Sequence, residues 1–264
     1  MSRALAIAGA FVREPFESFE RFREKRAELH DRAAGPPDYK VEESLLKALH
    51  AALHSPWPCA EDAGFRTAWN EIAKTLEAKG LRTGRGAYGG WDDADQRLAQ
   101  TIWCLVRHLR PTNVVETGVG RGVTSSLILE ALGRNAHGHL SSIDLPPILG
   151  RDLAQQRGAA IADRQRARWT LVHGSSRRKL PSLLRRLGQV DLFVHDSIHT
   201  GRNLLFEWNS VLPFMRSGGV LVADDVHRHH GLTTFATEHE LNWALVGEHS
   251  DGQGFFACAA PVIR

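Results

Sequence analysis

Beyond Asn113 the chain alternates between short apolar runs and longer stretches with helical spacing. Val190-Asp-Leu-Phe-Val194 and Val220-Leu-Val-Ala223 are mostly apolar residue after residue, as strands buried on both faces of a parallel sheet must be. The pattern predicts strands over 113–117, 139–144, 169–173, 190–195 and 219–223, with helices between them. Alternation then stops, and Trp243 to Gly247 with Phe255 to Val262 predict a closing antiparallel pair. The first hundred residues read as helices instead. Ser18 to Ala33 is rich in Arg and Glu and is broken by Pro36-Pro37. Val41, Leu45, Leu46, Leu49 and Leu53 recur at helical spacing, and Phe65 to Lys79 forms a third helix closed by Gly80. A glycine-rich loop over 84–91 leads to a fourth helix, capped by Asp92 or Asp93 and stopped at Pro111. The expected architecture is α/β: a doubly wound, mostly parallel seven-stranded sheet over residues 84–264, preceded by a helical region over 1–83. Such sheets take ligands at the carboxyl ends of their strands.

Composition narrows the class. With 264 residues the chain can bury a full core. Its net charge of +3 comes from interspersed acids and bases, so no nucleic-acid partner is expected. Cys59, Cys104 and Cys258 lie far apart with no C-x-x-C pair, which fits a reduced, cytoplasmic protein and argues against a zinc or disulfide framework. The apolar stretch from Ala4 to Val12 is too short to span a bilayer, so no membrane partner is expected; it is read as a helix or strand packed on the domain rather than a signal peptide.

The chemistry concentrates at strand ends. Val114-Val-Glu-Thr-Gly118-Val-Gly120-Arg-Gly122 is an apolar strand running into alternating glycines, a turn over which a ligand can lie on the backbone. A dinucleotide fingerprint needs glycine at position 123, where this chain has Val123, so the spacing favours a nucleoside cradle over an NAD-linked oxidoreductase. Asp144 ends the second strand roughly 20 residues beyond the loop, at the distance from which a carboxylate reaches ribose hydroxyls; a helix cap is its alternative. Glu116 beside the loop either orients the cationic end of a ligand or holds the loop. Asp196 ends the fourth strand and Asp224-Asp225 the fifth, which brings three carboxylates to one edge. Like charges so close repel unless a cation lies between them, and an all-oxygen set suits Mg²⁺, Mn²⁺ or Ca²⁺. His199, three residues past Asp196, is placed to take a proton from a hydroxyl, with His227, His229 and His230 as an alternative source of base.

Together these residues resemble the class I S-adenosylmethionine-dependent methyltransferases, and within them the catechol O-methyltransferase-like group with its bacterial natural-product relatives. The resemblance rests on Glu116-Thr-Gly-Val-Gly-Arg-Gly122, Ile143-Asp144, Gly174-Ser-Ser-Arg-Arg-Lys-Leu-Pro181, Val194-His-Asp196 and Gly218-Gly-Val-Leu-Val-Ala-Asp-Asp225. It implies a Rossmann-like fold and S-adenosylmethionine as cofactor. Glu116 and Gly118, with Gly120 and Gly122, fall around the methionine part, Asp144 on the ribose, and Ser176 and Arg177 at the adenine. It further implies a divalent cation, Mg²⁺ first, at Asp196, Asp224 and Asp225, and a base at His199 where the catechol enzymes carry lysine. Tyr88 to Trp91 corresponds to a loop flanking cofactor and substrate. Asp225 replaces the asparagine of the catechol enzymes and Ile198 an aromatic residue, which points to a hydroxyl acceptor other than catechol. Transfer to an oxygen of a small molecule follows, with a metal-independent variant using a histidine base as the alternative. The N-terminal helices are expected to act as a lid, a homodimer surface, or both.

Overall fold

The computed structural model describes residues 14–84, 86–90, 95–145 and 151–263. The Ala4–Val12 stretch, Trp91 and the proposed caps Asp92 and Asp93 lie outside these residues. Seven strands form one sheet in the order β3-β2-β1-β4-β5-β7-β6. They are β1 (Asn113–Thr117), β2 (His139–Asp144), β3 (Trp169–His173), β4 (Val190–His195), β5 (Met215–Ala223), β6 (Leu241–Glu248) and β7 (Phe255–Pro261). The first five pair in parallel, and β7 runs antiparallel to both β5 and β6. The expected α/β sheet with its antiparallel closing pair is therefore present. β5 starts earlier than its apolar run suggested, at Met215, because a register shift between Val190 and Leu192 lets Met215 join the ladder ahead of Gly218 and Gly219.

Alternate residues along the central strands feed two separate cores, the consequence of a period of two in side-chain direction. Val114, Leu192, Val194, Val220 and Val222 pack into one, against α2 (Leu45–Ala52), α3 (Asp62–Ala78), α4 (Gln96–Leu109) and α5 (Val123–Arg134). Val115, Phe193, Leu221 and Ala223 enter the other, under α7 (Ser176–Leu187), α8 (Gly201–Val211) and α9 (Gly231–Glu238). A short α6 (Arg151–Gln155) lies between β2 and β3. Trp103 and Trp208 are wholly buried, one in each core. The cap of α4 is Asp95, whose carboxylate accepts from the Leu98 amide at 2.6 Å.

The first helix, α1 (Pro15–Ala34), departs from the usual amphipathic rule. Its buried positions are Glu17, Ser18, Glu20 and Glu24, while Phe16, Phe19, Phe22 and Leu29 are exposed. It is held by charge rather than by apolar packing. Arg202 pairs with Glu20 at 3.0 Å and also with Glu24, Arg177 reaches Glu20 at 3.2 Å, and Asp31 accepts from the Gly201 amide at 3.0 Å. The Thr200 hydroxyl, at the N-cap of α8, donates to Glu24 at 2.6 Å. Carboxylates are favoured at this helix start, where unpaired amides leave partial positive charge.

Register aligns the functional edge. Thr117 lies opposite His195, and His195 opposite Ala223, so Gly118, Asp196 and Asp224 leave the sheet side by side. A chain of amide bonds carries the alignment one residue further: Gly118 to Ile143, Asp196 to Thr117 and Asp224 to His195, each at 2.9 Å. Gly118 adopts φ +86, and a Cβ there would lie 1.8 Å from the Asp196 carbonyl oxygen. Gly118→Ala is expected to lose roughly 2–4 kcal/mol in urea denaturation. Gly133→Ala, at a helical glycine with nothing near the added methyl, should instead gain roughly 0.5–1 kcal/mol.

Candidate active site

The strand ends open onto a cavity of about 520 Å³. One wall is the turn from Thr117 to Thr124, with Ile143 and Asp144 beside it; Gly174 to Arg177 forms a second, and Asp196 to His199 with Asp224 and Asp225 a third. Glu20, Arg21 and Glu24 of α1 close it from above. The expected cofactor and acid–base residues thus share one chamber, with Glu116 as the exception. Glu116 is absent from the lining: it is wholly buried behind the turn, and its Oε2 accepts from Ser125 at 2.6 Å and Ser142 at 2.7 Å. Burial raises its pKa to about 7, against the lowering by the two serine hydroxyls. Of the two roles open to it, this geometry is that of holding the loop.

The turn is shaped for a ligand laid on backbone. Gly118, Gly120 and Gly122 all have positive φ. Asp144 accepts from the Val119 amide at 3.1 Å and faces Arg157 at 3.6 Å, so the ribose candidate also braces the turn. Tyr88 packs against Gly120, with its hydroxyl donating to the Leu153 carbonyl at 3.1 Å. Ser176 lines the chamber and lies 3.5 Å from Asn203. Arg177 lines it too, but its guanidinium is turned to the carboxylates of α1 and stacks 4.4 Å over Phe206. The adenine contact expected of it is therefore limited to what its stem and backbone offer.

The acids are arranged unequally. Asp196, Asp224 and His199 can each bring a donor atom within 4.8 Å of the others, and so can Asp224, Asp225 and His249. Burial first, and the neighbouring Asp224 second, push the Asp196 carboxyl well above the ordinary carboxylate range. His199 lies 3.8 Å from Asp225, and burial lowers its pKa, leaving the imidazole neutral and able to accept a proton. Asp225, in the left-handed region at φ 53, also pairs with Arg228 at 2.8 Å.

Residues 115–226 match the family described as a methyltransferase domain. Solved structures share the fold at low identity. The O-methyltransferase TomG from Streptomyces achromogenes, involved in tomaymycin synthesis and in complex with SAM, is 15% identical with a TM-score of 0.56, over 74% of this chain and 90% of that one. An O-methyltransferase from Bacillus cereus in complex with SAH is also 15% identical, TM-score 0.54, over 83% and 99%. A SAH-bound methyltransferase from Podospora anserina is 12% identical, TM-score 0.54, over 79% and 99%. No curated protein matches the sequence.

Two residues at this chamber carry no mark in the sequence. Glu207, wholly buried on α8, accepts from Thr117 and His195 at 2.6 Å on one oxygen and from Ser197 and Asn203 at 3.0 Å on the other. It thereby ties the ends of β1 and β4 to the turn carrying Asp196 and His199. His249, in the turn between β6 and β7, hydrogen-bonds Asp224 at 2.7 Å. No sequence motif links the two.

Glu207→Ala leaves Thr117, His195 and Ser197 without an acceptor and is expected to cost roughly 3–5 kcal/mol in chemical denaturation. The His249–Asp224 pair gives a pH signature. Burial alone would lower the His249 pKa, but the Asp224 hydrogen bond and charge raise it from 6.5 to about 9. Burial would raise Asp224, but the His249 hydrogen bond leads the effects that bring it from 3.8 to about 2. A raised histidine stabilises fully below its unfolded value and loses that contribution as pH climbs through its folded one. In metal-free protein, the stability difference between wild type and His249→Gln should therefore shrink between pH 6.5 and 9, measured by urea titration at each pH.

Proposed function

We propose that the chain is an S-adenosylmethionine-dependent O-methyltransferase acting on a hydroxyl of a small molecule, assisted by a divalent cation. The observation that carries this reading is the shared chamber. The glycine turn and Asp144 face the same cavity as Asp196, His199, Asp224 and Asp225. A donor cradle and an acid–base cluster in one enclosure suit transfer between two bound molecules. The SAM and SAH complexes among structures of the same fold support the choice of donor.

In this reading Asp144 would hold the cofactor's ribose hydroxyls, and the backbone of Gly118 to Gly122 would receive its methionine end. The acceptor oxygen sits between His199 and the carboxylates. Once bound, the sulfonium would supply its methyl group to that oxygen and depart as S-adenosylhomocysteine, and His199 would take the hydroxyl proton. Alignment of donor and acceptor supplies much of the acceleration. Asp196, Asp224 and Asp225 would hold the cation, and the mutual crowding of these buried acids fits a positive ion among them. Bound there, a divalent ion would grip the acceptor hydroxyl and lower its pKa.

One observation favours a second reading, in which the same transfer proceeds with the histidine base alone. His249 and Arg228 already set a cation against Asp224 and Asp225. Calorimetry with S-adenosylmethionine, with and without Mg²⁺, followed by methyl transfer to a panel of hydroxyl compounds, separates the two. Asp144→Ala is expected to weaken cofactor binding roughly 10–100-fold. Asp196→Ala, or chelation, should lower turnover about 100-fold or more while the cofactor still binds. Absence of S-adenosylmethionine binding to wild type overturns the function. Transfer that survives both chelation and Asp196→Ala leaves the metal-free reading.

A further inference from the structure

Far along the chain from one another, two of the three cysteines meet. Cys59 lies in the loop between α2 and α3, and Cys104 on α4; their sulfurs are 3.8 Å apart and both thiols are free. His108, one turn beyond Cys104 on the same face of α4, places Nε2 at 3.5 Å from the Cys59 sulfur. His50 of α2 brings a ring nitrogen within 4.8 Å of both sulfurs. The expectation of no zinc framework rested on the wide spacing of the cysteines, and the fold brings two of them together all the same.

We propose that His50, Cys59, Cys104 and His108 form a tetrahedral zinc site that fastens the N-terminal helices to the methyltransferase domain. The 3.8 Å between the two sulfurs and the 3.5 Å from Cys59 to His108 match the ion's own geometry. Tetrahedral bonds of about 2.3 Å to sulfur and about 2.0–2.1 Å to nitrogen set two sulfurs about 3.8 Å apart, and a sulfur and a nitrogen about 3.6 Å apart. Orientation of His50 supports the same conclusion. It is wholly buried, its Nδ1 donates to the Leu46 carbonyl at 2.6 Å, and Nε2 has no partner among the described residues. A histidine anchored through one nitrogen by a backbone carbonyl, with the other bare, is the arrangement of a metal ligand. The ring is further confined by Trp57 at 5.1 Å and His108 at 4.8 Å, both edge to face. Two thiolates and two imidazoles favour Zn²⁺ over Mg²⁺ or Ca²⁺, which take oxygen. On binding, each thiol releases its proton to solvent, so charge balances as two protons leave for one divalent ion.

The site is separate from the acids of the chamber, and so is its test. Tag-free full-length chain, kept reduced and stripped by chelation, is titrated with Co²⁺ and then Zn²⁺. One Co²⁺ per chain should bring a thiolate-to-metal charge-transfer band and tetrahedral visible bands, and Zn²⁺ should displace it and raise the Tm. Cys59→Ser and Cys104→Ser are each expected to reduce the charge-transfer band to about half or less and to weaken Zn²⁺ binding about 100-fold or more. His50→Gln should alter the visible bands while leaving the charge transfer. Asp196→Ala should change none of these signals. Cys104 is buried, and should its variant fail to fold, half-buried Cys59 carries the same test. Absence of the charge-transfer band in the reduced wild type, an undiminished band in Cys59→Ser, or isolation of the chain with a Cys59–Cys104 disulfide overturns the proposal.

Discussion

The buried carboxylate of Glu207 is the interaction on which the functional edge depends. Thr117, His195, Ser197 and Asn203 all donate to it or share a proton with it, and these residues end β1, end β4, start the following turn and start α8. An ionised carboxylate away from water is costly unless every lone pair is used, and here both oxygens accept twice. Burial would raise its pKa, but His195 leads the partners that hold it down, so the charged form persists inside the fold. The arrangement specifies where Asp196 and His199 stand because each donor must reach the same two oxygens. Gly118 completes the constraint from β1, since only a residue without Cβ lets its turn lie against the Asp196 carbonyl.

Around that fixed edge the chain uses charge where it commonly uses apolar contact. The α1 helix turns glutamates inward to Arg177 and Arg202 and leaves its phenylalanines outside. Its acids also roof the chamber, so the residues that hold the helix are residues a ligand would meet. Within the chamber, Asp224 and Asp225 each have a cationic partner, whereas Asp196 is half-buried and crowded by its acidic neighbours. The inequality follows from position: Asp224 faces the β6–β7 turn and Asp225 faces Arg228, while Asp196 points into the enclosure.

Much of this was legible along the chain. Short apolar runs must be strands in a sheet covered on both sides, and β1 to β4 end where those runs end. Glycines at 118, 120 and 122, and acids directly after strands, could be assigned to one edge because parallel strands share a direction. What could not be read were partnerships between elements. Glu207, His249 and the Cys59–Cys104 pair carry no local motif. α1 shows its apolar face to solvent, against what periodicity alone would assign. Arg177 sits at the expected place in the chamber yet sends its head to Glu24 of α1, 153 residues away along the chain.

By itself the sequence determined the order and type of elements, the nucleoside-sized turn after β1, and the acids and histidine that follow β4 and β5. These are local properties: side-chain period, glycine's freedom at positive φ, and the position of a residue at the end of its strand. Only the tertiary structure decided which charges are paired, which carboxyl is left crowded, that Glu116 braces the loop from behind, and that His50, Cys59, Cys104 and His108 converge. Those outcomes depend on distances between segments remote in the chain. Burial and electrostatic strength change steeply over a few ångströms, and no spacing along the backbone reports them.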